Sequence, residues 1–171
     1  MNVEIRILDW IQTLRTPFLD TCMVFITRLG NGGRIWIVLT ILLILIPKTR
    51  KSGFIMLVSL IISFLLCNVL IKNLVCRIRP YDVNTSIHLL VGKLHDYSFP
   101  SGHTASSFAS VTALYLAKEK KLCQLTLGIA IWMSISRLYL YVHYPTDILG
   151  GILIGVASAY LGNRFIEKIN K

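Results

Sequence analysis

Residues 53–71 read GFIMLVSLIISFLLCNVLI, a stretch of 19 residues without a charged side chain. At about 1.5 Å per residue, a helix of that length crosses a hydrocarbon core of about 30 Å. Three further charge-free apolar runs cover residues 35–46, 122–136 and 148–162. A soluble chain of 171 residues has no interior large enough to bury four such helices. The sequence therefore predicts an all-α, polytopic membrane protein.

The composition agrees with a membrane location and excludes other classes. Hydrophobic residues make up 54% of the chain and charged residues only 15%, whereas a soluble domain has about 25% charged residues. The net charge of +10 arises from Lys and Arg side chains at the ends of the apolar runs rather than in one patch. This placement follows the positive-inside rule, so no nucleic-acid partner is expected. The four cysteines lack metal-ligand spacing and are expected to be unpaired thiols.

The apolar pattern divides a single predicted domain, residues 1–171, into six transmembrane helices and a shorter N-terminal helix. The transmembrane helices are predicted at residues 17–29, 33–47, 53–73, 103–118, 122–137 and 146–165. Residues 1–14 lack the apolar centre of a signal peptide and carry apolar side chains at helical spacing. They are predicted to form an amphipathic helix on the membrane surface.

Three basic clusters decide the predicted orientation. They are Lys48, Arg50 and Lys51; Lys118, Lys120 and Lys121; and Arg164, Lys168 and Lys171. With six helices these clusters and both termini fall on one side, which the positive-inside rule assigns to the cytoplasm. Residues 72–102 and 137–147 then lie on the extracytoplasmic side of the cell membrane. A loop as long as the first of these is commonly functional.

The first candidate site segment pairs two cations. Lys72 and Arg79 are seven residues apart, so a helix continuing past Lys72 would carry both on one face until Pro80 ended it. Two cations on one face suit an anion. The alternative is that both side chains extend to the membrane interface from a helix end.

The second segment, residues 99–104, reads FPSGHT and opens the fourth predicted helix. The free N–H groups and the positive dipole end of a helix start favour an anion. Gly102 permits a close approach of the backbone, Ser101 is a good cap and hydroxyl donor, and His103 could offer a proton from the first turn. The alternative is an ordinary helix cap beside an interfacial histidine.

The third segment holds Arg137, His143 and Asp147. A carboxylate four residues from a histidine can accept a hydrogen bond from one ring nitrogen and leave the other as a base or nucleophile. The alternative is an N-capping aspartate next to a surface histidine. Together the three segments supply cations, backbone donors, two histidines and a carboxylate on one predicted face. This inventory suits phosphoryl transfer.

The three segments resemble the signature of the type 2 phosphatidic acid phosphatase superfamily. The matching residues are Lys72-x6-Arg79-Pro80, Pro100-Ser101-Gly102-His103 and Ser136-Arg137-x5-His143-x3-Asp147. The likeness extends from the third predicted helix to the sixth. It implies that His143 attacks phosphorus and forms a phosphohistidine, that Asp147 orients His143, and that His103 protonates the leaving oxygen. The residues implied to hold the phosphate oxygens are Lys72, Arg79, Ser101, Gly102 and Arg137.

The resemblance implies a lipid phosphatase that needs neither a metal ion nor a cofactor, and few carboxylates fall near the predicted site to hold a metal. The expected substrate is a membrane lipid phosphate reached from the bilayer, with undecaprenyl diphosphate, converted to undecaprenyl phosphate, as the first choice. Phosphatidylglycerol phosphate and phosphatidic acid are the alternatives. A different class, a non-enzymatic lipid-binding or transport protein, would be indicated by loss of a catalytic residue, and all three are present. Nothing in the sequence specifies an oligomeric state.

Overall fold

The computed structural model describes residues 3–169, which form helices and connecting loops without a strand. The helices are α1 (Val3–Gln12), α2 (Pro17–Leu29), α3 (Arg34–Leu45), α4 (Arg50–Phe64), α5 (Lys72–Val75), α6 (Pro80–Val83), α7 (Gly102–Leu116), α8 (Lys120–Tyr139) and α9 (Pro145–Ile169). A π-helical stretch, Leu65–Ile71, joins α4 to α5 and carries the apolar run up to Lys72. The all-α prediction is confirmed for these residues.

The bundle has a basic end and a site end. At the basic end, Ser52 at the start of α4 donates a hydrogen bond to Glu119 in the α7–α8 connection at 2.8 Å. A pocket there is bordered by Lys48, Lys118 and, from the last turns of α9, Glu167. At the site end the α6–α7 and α8–α9 connections meet. The helices α4, α7, α8 and α9 each run between these two ends.

Helices α2 and α3 form one bent leg rather than two separate spans. Asp20, near the start of α2, accepts a hydrogen bond from the Tyr139 hydroxyl at 2.7 Å at the site end. At the other end of the leg, Ile44 of α3 packs against α4 near the basic end. The helices meet at 47° across Asn31–Gly33, where Gly32 and Gly33 have φ angles of 61° and 70°. Glycine adopts this left-handed conformation without strain, so the sequence permits the break.

Within residues 3–169 the chain therefore passes between the two ends five times, along α2–α3, α4–α5, α7, α8 and α9. Three helical stretches are long and apolar enough to cross a membrane, and the bent α2–α3 pair would add a fourth. Helix α7 has 15 residues, a length of about 22 Å at 1.5 Å per residue. The six predicted spans are not confirmed, because the predicted helices 17–29 and 33–47 form a single leg.

Helix α1 lies at the site end, and the prediction that the N-terminal segment shares a side with the basic clusters is wrong for this helix. Its Glu4 accepts a hydrogen bond from the backbone N–H of Thr146 at 3.0 Å. The physical reason is the odd number of passes, which puts α1 and the end of α9 at opposite ends of the bundle. One apolar face of α1 packs on the bundle, where Ile5 and Leu8 are buried, while Trp10 is exposed. The location of this helix at the membrane surface stays a prediction.

Glycines allow α9 to pack closely on α7 and α4. A Cβ atom on Gly155 would lie 2.5 Å from the carbonyl oxygen of Ala105, and one on Gly162 would lie 2.6 Å from the Ser59 hydroxyl. Small residues at such positions let helix backbones approach each other in a membrane. The close contact holds the starts of α7 and α9 together, and there the Ser101 N–H donates to the Asp147 carbonyl at 3.0 Å.

Candidate active site

Three segments that are far apart in the sequence meet at the site end. They are α5 with the loop that follows it, the start of α7, and the last turn of α8 with the loop to α9. The structure brings together all of the residues predicted from the sequence: Lys72, Arg79, Ser101, Gly102, His103, Arg137, His143 and Asp147.

The centre of the site is a buried histidine–aspartate pair. His143 Nδ1 lies 3.3 Å from Asp147 Oδ2, and both side chains are almost completely inaccessible to solvent. The same carboxylate oxygen accepts hydrogen bonds from the Tyr144 N–H, at 2.9 Å, and from the Ser98 hydroxyl. Three donors on one oxygen fix the carboxylate plane and, through it, the orientation of the imidazole.

The surroundings of His143 assign its tautomer. Arg79 Nη1 lies 3.4 Å from Nε2, and because a guanidinium only donates hydrogen bonds, Nε2 is the acceptor and Nδ1–H donates to Asp147. Burial lowers the pKa of His143 to about 3, against the opposing effect of its hydrogen bond with Asp147. The imidazole is therefore neutral at ordinary pH, and the lone pair on Nε2 is available as a nucleophile.

Two of the predicted cations share one carboxylate. Asp96, in the α6–α7 connection, pairs with Lys72 through one oxygen and with Arg79 through the other, the latter at 2.7 Å. Arg79 is also anchored by the carbonyl of Val142 at 2.6 Å, next to His143. Burial alone would raise the pKa of Asp96, but the hydrogen bonds and charges of Lys72 and Arg79 lower it to about 2. The ionised Asp96 carboxylate is therefore paired with two cations that could otherwise bind an anionic ligand.

Arg137 is the third cation, and its environment is unusual. Its side chain is 2% exposed, and Nη1 donates to the Thr27 hydroxyl of α2. Nε is buried without a hydrogen-bond partner, and among residues 3–169 no carboxylate lies within 4.0 Å of the guanidinium. A buried charge is costly unless it is paired, so this arrangement indicates an anion-binding position.

The start of α7 forms the opposite wall of the site. Ser101 caps the helix, as predicted, and its hydroxyl oxygen accepts hydrogen bonds from the backbone N–H of Thr104 at 3.4 Å and from the Thr104 hydroxyl. His103 Nε2 lies 3.1 Å from the side-chain oxygen of Asn31, in the break between α2 and α3. A Cβ atom on Gly102 would lie 2.9 Å from the amide oxygen of Asn68, so glycine permits this close packing.

An apolar groove leads away from this wall between α3 and α4. Its volume is about 670 Å³, and His103 and Gly102 line it at the site end of the bundle. Its sides are lined mainly by aliphatic and aromatic side chains, including Ile37, Ile41, Ile44, Leu57, Ile61 and Phe64. Its apolar lining suits a hydrocarbon chain, and it extends from the histidine wall along α3 and α4.

Sequence reasoning missed four residues that complete the site. Arg77 donates to Asp147 Oδ1 at 2.6 Å and pairs with Glu4 of α1. Asp96 pairs with the predicted cations Lys72 and Arg79. Asn31 contacts His103. Arg77 could have been found from the sequence, because it lies only two residues before Arg79 of the signature. Glu4 and Asn31 lie far from the signature in the chain, and nothing in the sequence connects them with it.

The described residues include no cluster of side chains suited to a metal ion. Within residues 3–169 no group of three or more His, Cys, Asp or Glu side chains is placed to hold a metal ion.

The profile of the PAP2 superfamily matches residues 52–171. The undecaprenyl-diphosphatase of Sulfolobus acidocaldarius is 34% identical over 143 residues, covering 84% of this chain and 68% of that protein.

Two solved structures are similar to this chain over nearly its whole length. A transmembrane PAP2 type phosphatidylglycerolphosphate phosphatase from Bacillus subtilis superposes with a TM-score of 0.76 at 31% identity, over 98% of this chain and 86% of that one. Aquifex aeolicus LpxE superposes with a TM-score of 0.82 at 25% identity, over 96% of both chains.

Proposed function

This chain belongs to the PAP2 superfamily and is a membrane lipid phosphatase, and from that premise we propose that it hydrolyses undecaprenyl diphosphate to undecaprenyl phosphate through a phosphohistidine. Residues 1–171 act as one phosphatase domain. The reaction takes place at the outer surface of the cell membrane, without a metal ion or cofactor.

The proposed reaction has two phosphoryl transfers. Nε2 of His143 forms a bond to phosphorus while the bond to the leaving oxygen breaks, and His103 donates its proton to that oxygen. A water molecule, deprotonated by His103, then attacks the phosphohistidine, and the N–P bond breaks to release inorganic phosphate. Asp147 stabilises the positive charge that develops on the His143 ring during each transfer.

Three cations neutralise the transferred group. Arg79 lies 3.4 Å from Nε2 of His143, Arg137 is near enough to act on the charge of His143, and Lys72 shares the Asp96 carboxylate with Arg79. The charge of a phosphoryl transition state is spread over three equatorial oxygens. Because the cations are held in a site largely withdrawn from water, their charges are worth more than they would be in bulk solvent. This cluster of cations supplies the positive charge that metal-dependent phosphatases obtain from an ion.

The observation that carries the lipid assignment is the apolar groove that ends at His103. A lipid whose chain lies between α3 and α4 would place its phosphate next to the acid that protonates the leaving oxygen. A soluble phosphate ester has no use for such a groove. The bilayer is thus both the location of the enzyme and the source of its substrate.

The membrane orientation is inferred from charge. Lys48, Arg50, Lys51, Lys118, Lys120 and Lys121 lie at the basic end, which the positive-inside rule assigns to the cytoplasm. The site end and α1 then face outward. In protein whose four native cysteines are replaced by serine, a cysteine placed at His88 should react with an impermeant thiol reagent on intact cells, whereas one at Lys120 should not. The reverse pattern would overturn the outward orientation.

Phosphatidylglycerol phosphate or phosphatidic acid is the alternative substrate, and the Bacillus subtilis structure named above favours the first of these. Membership of a phosphatase family leaves the non-enzymatic lipid-binding or transport hypothesis without support. Purified protein in detergent and excess EDTA should release phosphate from undecaprenyl diphosphate faster than from either alternative. Faster release from an alternative would reassign the substrate, and activity that EDTA abolishes would refute the metal-free mechanism.

Blocking the groove should affect lipid substrates selectively. Ile61→Trp places an indole in the groove and is expected to raise KM for the lipid diphosphate about tenfold, because a filled pocket excludes the chain. KM for a short-chain soluble diphosphate should change less than about twofold. Leu153→Trp, an exposed apolar position on α9 outside the groove, is the matched control. Equal effects of the two variants on the lipid would refute the groove assignment.

Removing the carboxylate that occupies Lys72 and Arg79 should strengthen phosphate binding. Asp96→Asn keeps the size of the side chain and removes its charge, so the inhibition constant of inorganic phosphate is expected to fall about three- to tenfold. Asp82→Asn, which loses a surface ion pair with Lys93, should leave the constant unchanged. Weaker inhibition of the Asp96 variant would show that this carboxylate supports the anion site rather than competing for it.

A further inference from the structure

Both carboxylate oxygens of Asp147 are engaged, and only one of them faces the nucleophile. Oδ2 receives His143, the Tyr144 N–H and the Ser98 hydroxyl, as described above. Oδ1 accepts a hydrogen bond from Arg77 Nη1 at 2.6 Å. Arg77 lies on the side of Asp147 away from the imidazole, and no described contact joins it to Lys72, Arg79 or Arg137.

The guanidinium of Arg77 is fixed from several directions. Nη1 also donates to the Thr146 hydroxyl at 2.7 Å, and the guanidinium carbon lies 3.8 Å from the centre of the Tyr144 ring. Nη2 pairs with Glu4 of α1. Burial and the pairing with Arg77 and Thr146 act in opposite directions on Glu4, and the result lowers the pKa of its carboxyl. Glu4 is therefore ionised and holds Arg77 in position.

These contacts form a connected series of polar side chains, from Glu4 to Arg77 to Asp147 and then to the neutral imidazole of His143. The first member belongs to α1, more than 130 residues from the nucleophile in the sequence. We propose that Arg77 and Glu4 are positioning residues, which fix the Asp147 carboxylate so that its second oxygen holds His143 in the attacking tautomer. This inference rests on the proposed function of the dyad and extends it to the N-terminal helix.

The proposed reaction explains why the Asp147 carboxylate must be held in place. Phosphorylation of Nε2 places a positive charge on His143, and a carboxylate that could rotate would lose the Nδ1–H contact at that moment. Partners one step removed from a catalytic group commonly change rates 10- to 100-fold, roughly, when they are removed. Arg77 fixes the plane of the Asp147 carboxylate. Glu4 balances the positive charge of Arg77, so that Arg77 does not weaken the interaction of Asp147 with the positively charged His143 ring.

A purely structural role for Glu4 makes a different prediction, because other contacts also attach α1 to the bundle. Asp9 accepts hydrogen bonds from the Tyr141 hydroxyl at 2.6 Å and from the Asn84 amide at 3.3 Å. Gln12 donates to the Tyr139 carbonyl at 2.9 Å. Asp9→Asn is thus a matched control: it weakens a carboxylate contact of the same helix but leaves Glu4, Arg77 and the dyad untouched.

The test measures steady-state kinetics on lipid diphosphate for purified variants. Arg77→Gln is expected to lower kcat about 50-fold and Glu4→Gln about tenfold, with KM within about twofold of wild type, since neither residue touches the phosphate pocket. Asp9→Asn should change kcat less than about twofold. In the Arg77→Gln background, Glu4→Gln should lower kcat by less than about twofold further, because Glu4 acts mainly through Arg77 and keeps only its hydrogen bonds with Thr146 there. Equal losses from Glu4→Gln and Asp9→Asn, or additive losses in the double variant, would overturn the proposal.

A second readout does not depend on turnover. In protein labelled with ¹⁵N-histidine, the ring signals of His143, assigned by their absence in His143→Gln, report which nitrogen carries the proton. Wild type and Asp9→Asn should show protonated Nδ1, and Arg77→Gln should show a mixture of tautomers. An unchanged tautomer in Arg77→Gln would refute the positioning role. A wild-type enzyme inactive on every lipid would instead refute the proposed function while leaving this spectral result to decide the inference.

Discussion

Replacing His143 by glutamine is expected to reduce phosphate release by at least about 10⁴-fold, because in the proposed mechanism the loss of the covalent nucleophile removes the whole two-step pathway. Glutamine is neutral and close in size, and the wild-type imidazole is also neutral because burial lowers its pKa to about 3. The fold should therefore tolerate the change. The measurement is single-turnover phosphate release from the lipid diphosphate in detergent.

Two observations would complete this test. The wild-type enzyme, quenched in alkali during turnover, should contain an acid-labile phosphoryl group that His143→Gln lacks. His88→Gln, at a histidine in the α6–α7 connection outside the signature, should retain full activity. Residual activity in His143→Gln within about tenfold of wild type would assign the attack to another group, such as a water molecule activated by His103.

Arg137→Met is expected to lower kcat by about 10³-fold, since the proposed role of the guanidinium is to stabilise charge that develops on the transferred phosphoryl group. The same substitution should not lower the thermal stability of the purified protein. The guanidinium is buried without a carboxylate partner among the described residues, so removing it abolishes an uncompensated charge. The loss of the Thr27 contact should cost only about 1 kcal/mol.

The Arg137 test is specific because a large loss of rate is expected without a loss of stability. Arg164→Met, an exposed arginine at the basic end, should change neither activity nor stability by a measurable amount. Arg137→Lys keeps the charge but loses the planar donor set, and we expect it to recover less than about a tenth of the lost rate. A destabilised Arg137→Met with near-normal kcat would show that this arginine serves the fold rather than the phosphate.

The sequence by itself determined the chemistry of the site. Charge-free runs such as residues 53–71 establish the membrane class, because nothing except a bilayer or a large interior accepts them. His143 and Asp147 are four residues apart across the start of α9, so their pairing could be predicted locally. The start of α7 at Gly102 was likewise predictable from its cap, since Ser101 and the glycine act within a few residues.

Tertiary structure alone decided how those segments meet and how the chain enters them. The break at Gly32 and Gly33 merges two predicted spans into one bent leg, because consecutive left-handed glycines interrupt the helix without reversing it. That single difference moves α1 to the site end, where Glu4 reaches Arg77. Asp96, Arg77 and Glu4 were not predictable as site residues, since ion pairs across long separations depend on packing that hydropathy and spacing do not encode. Short-range chemistry was determined by the sequence, and long-range charge pairing by the fold.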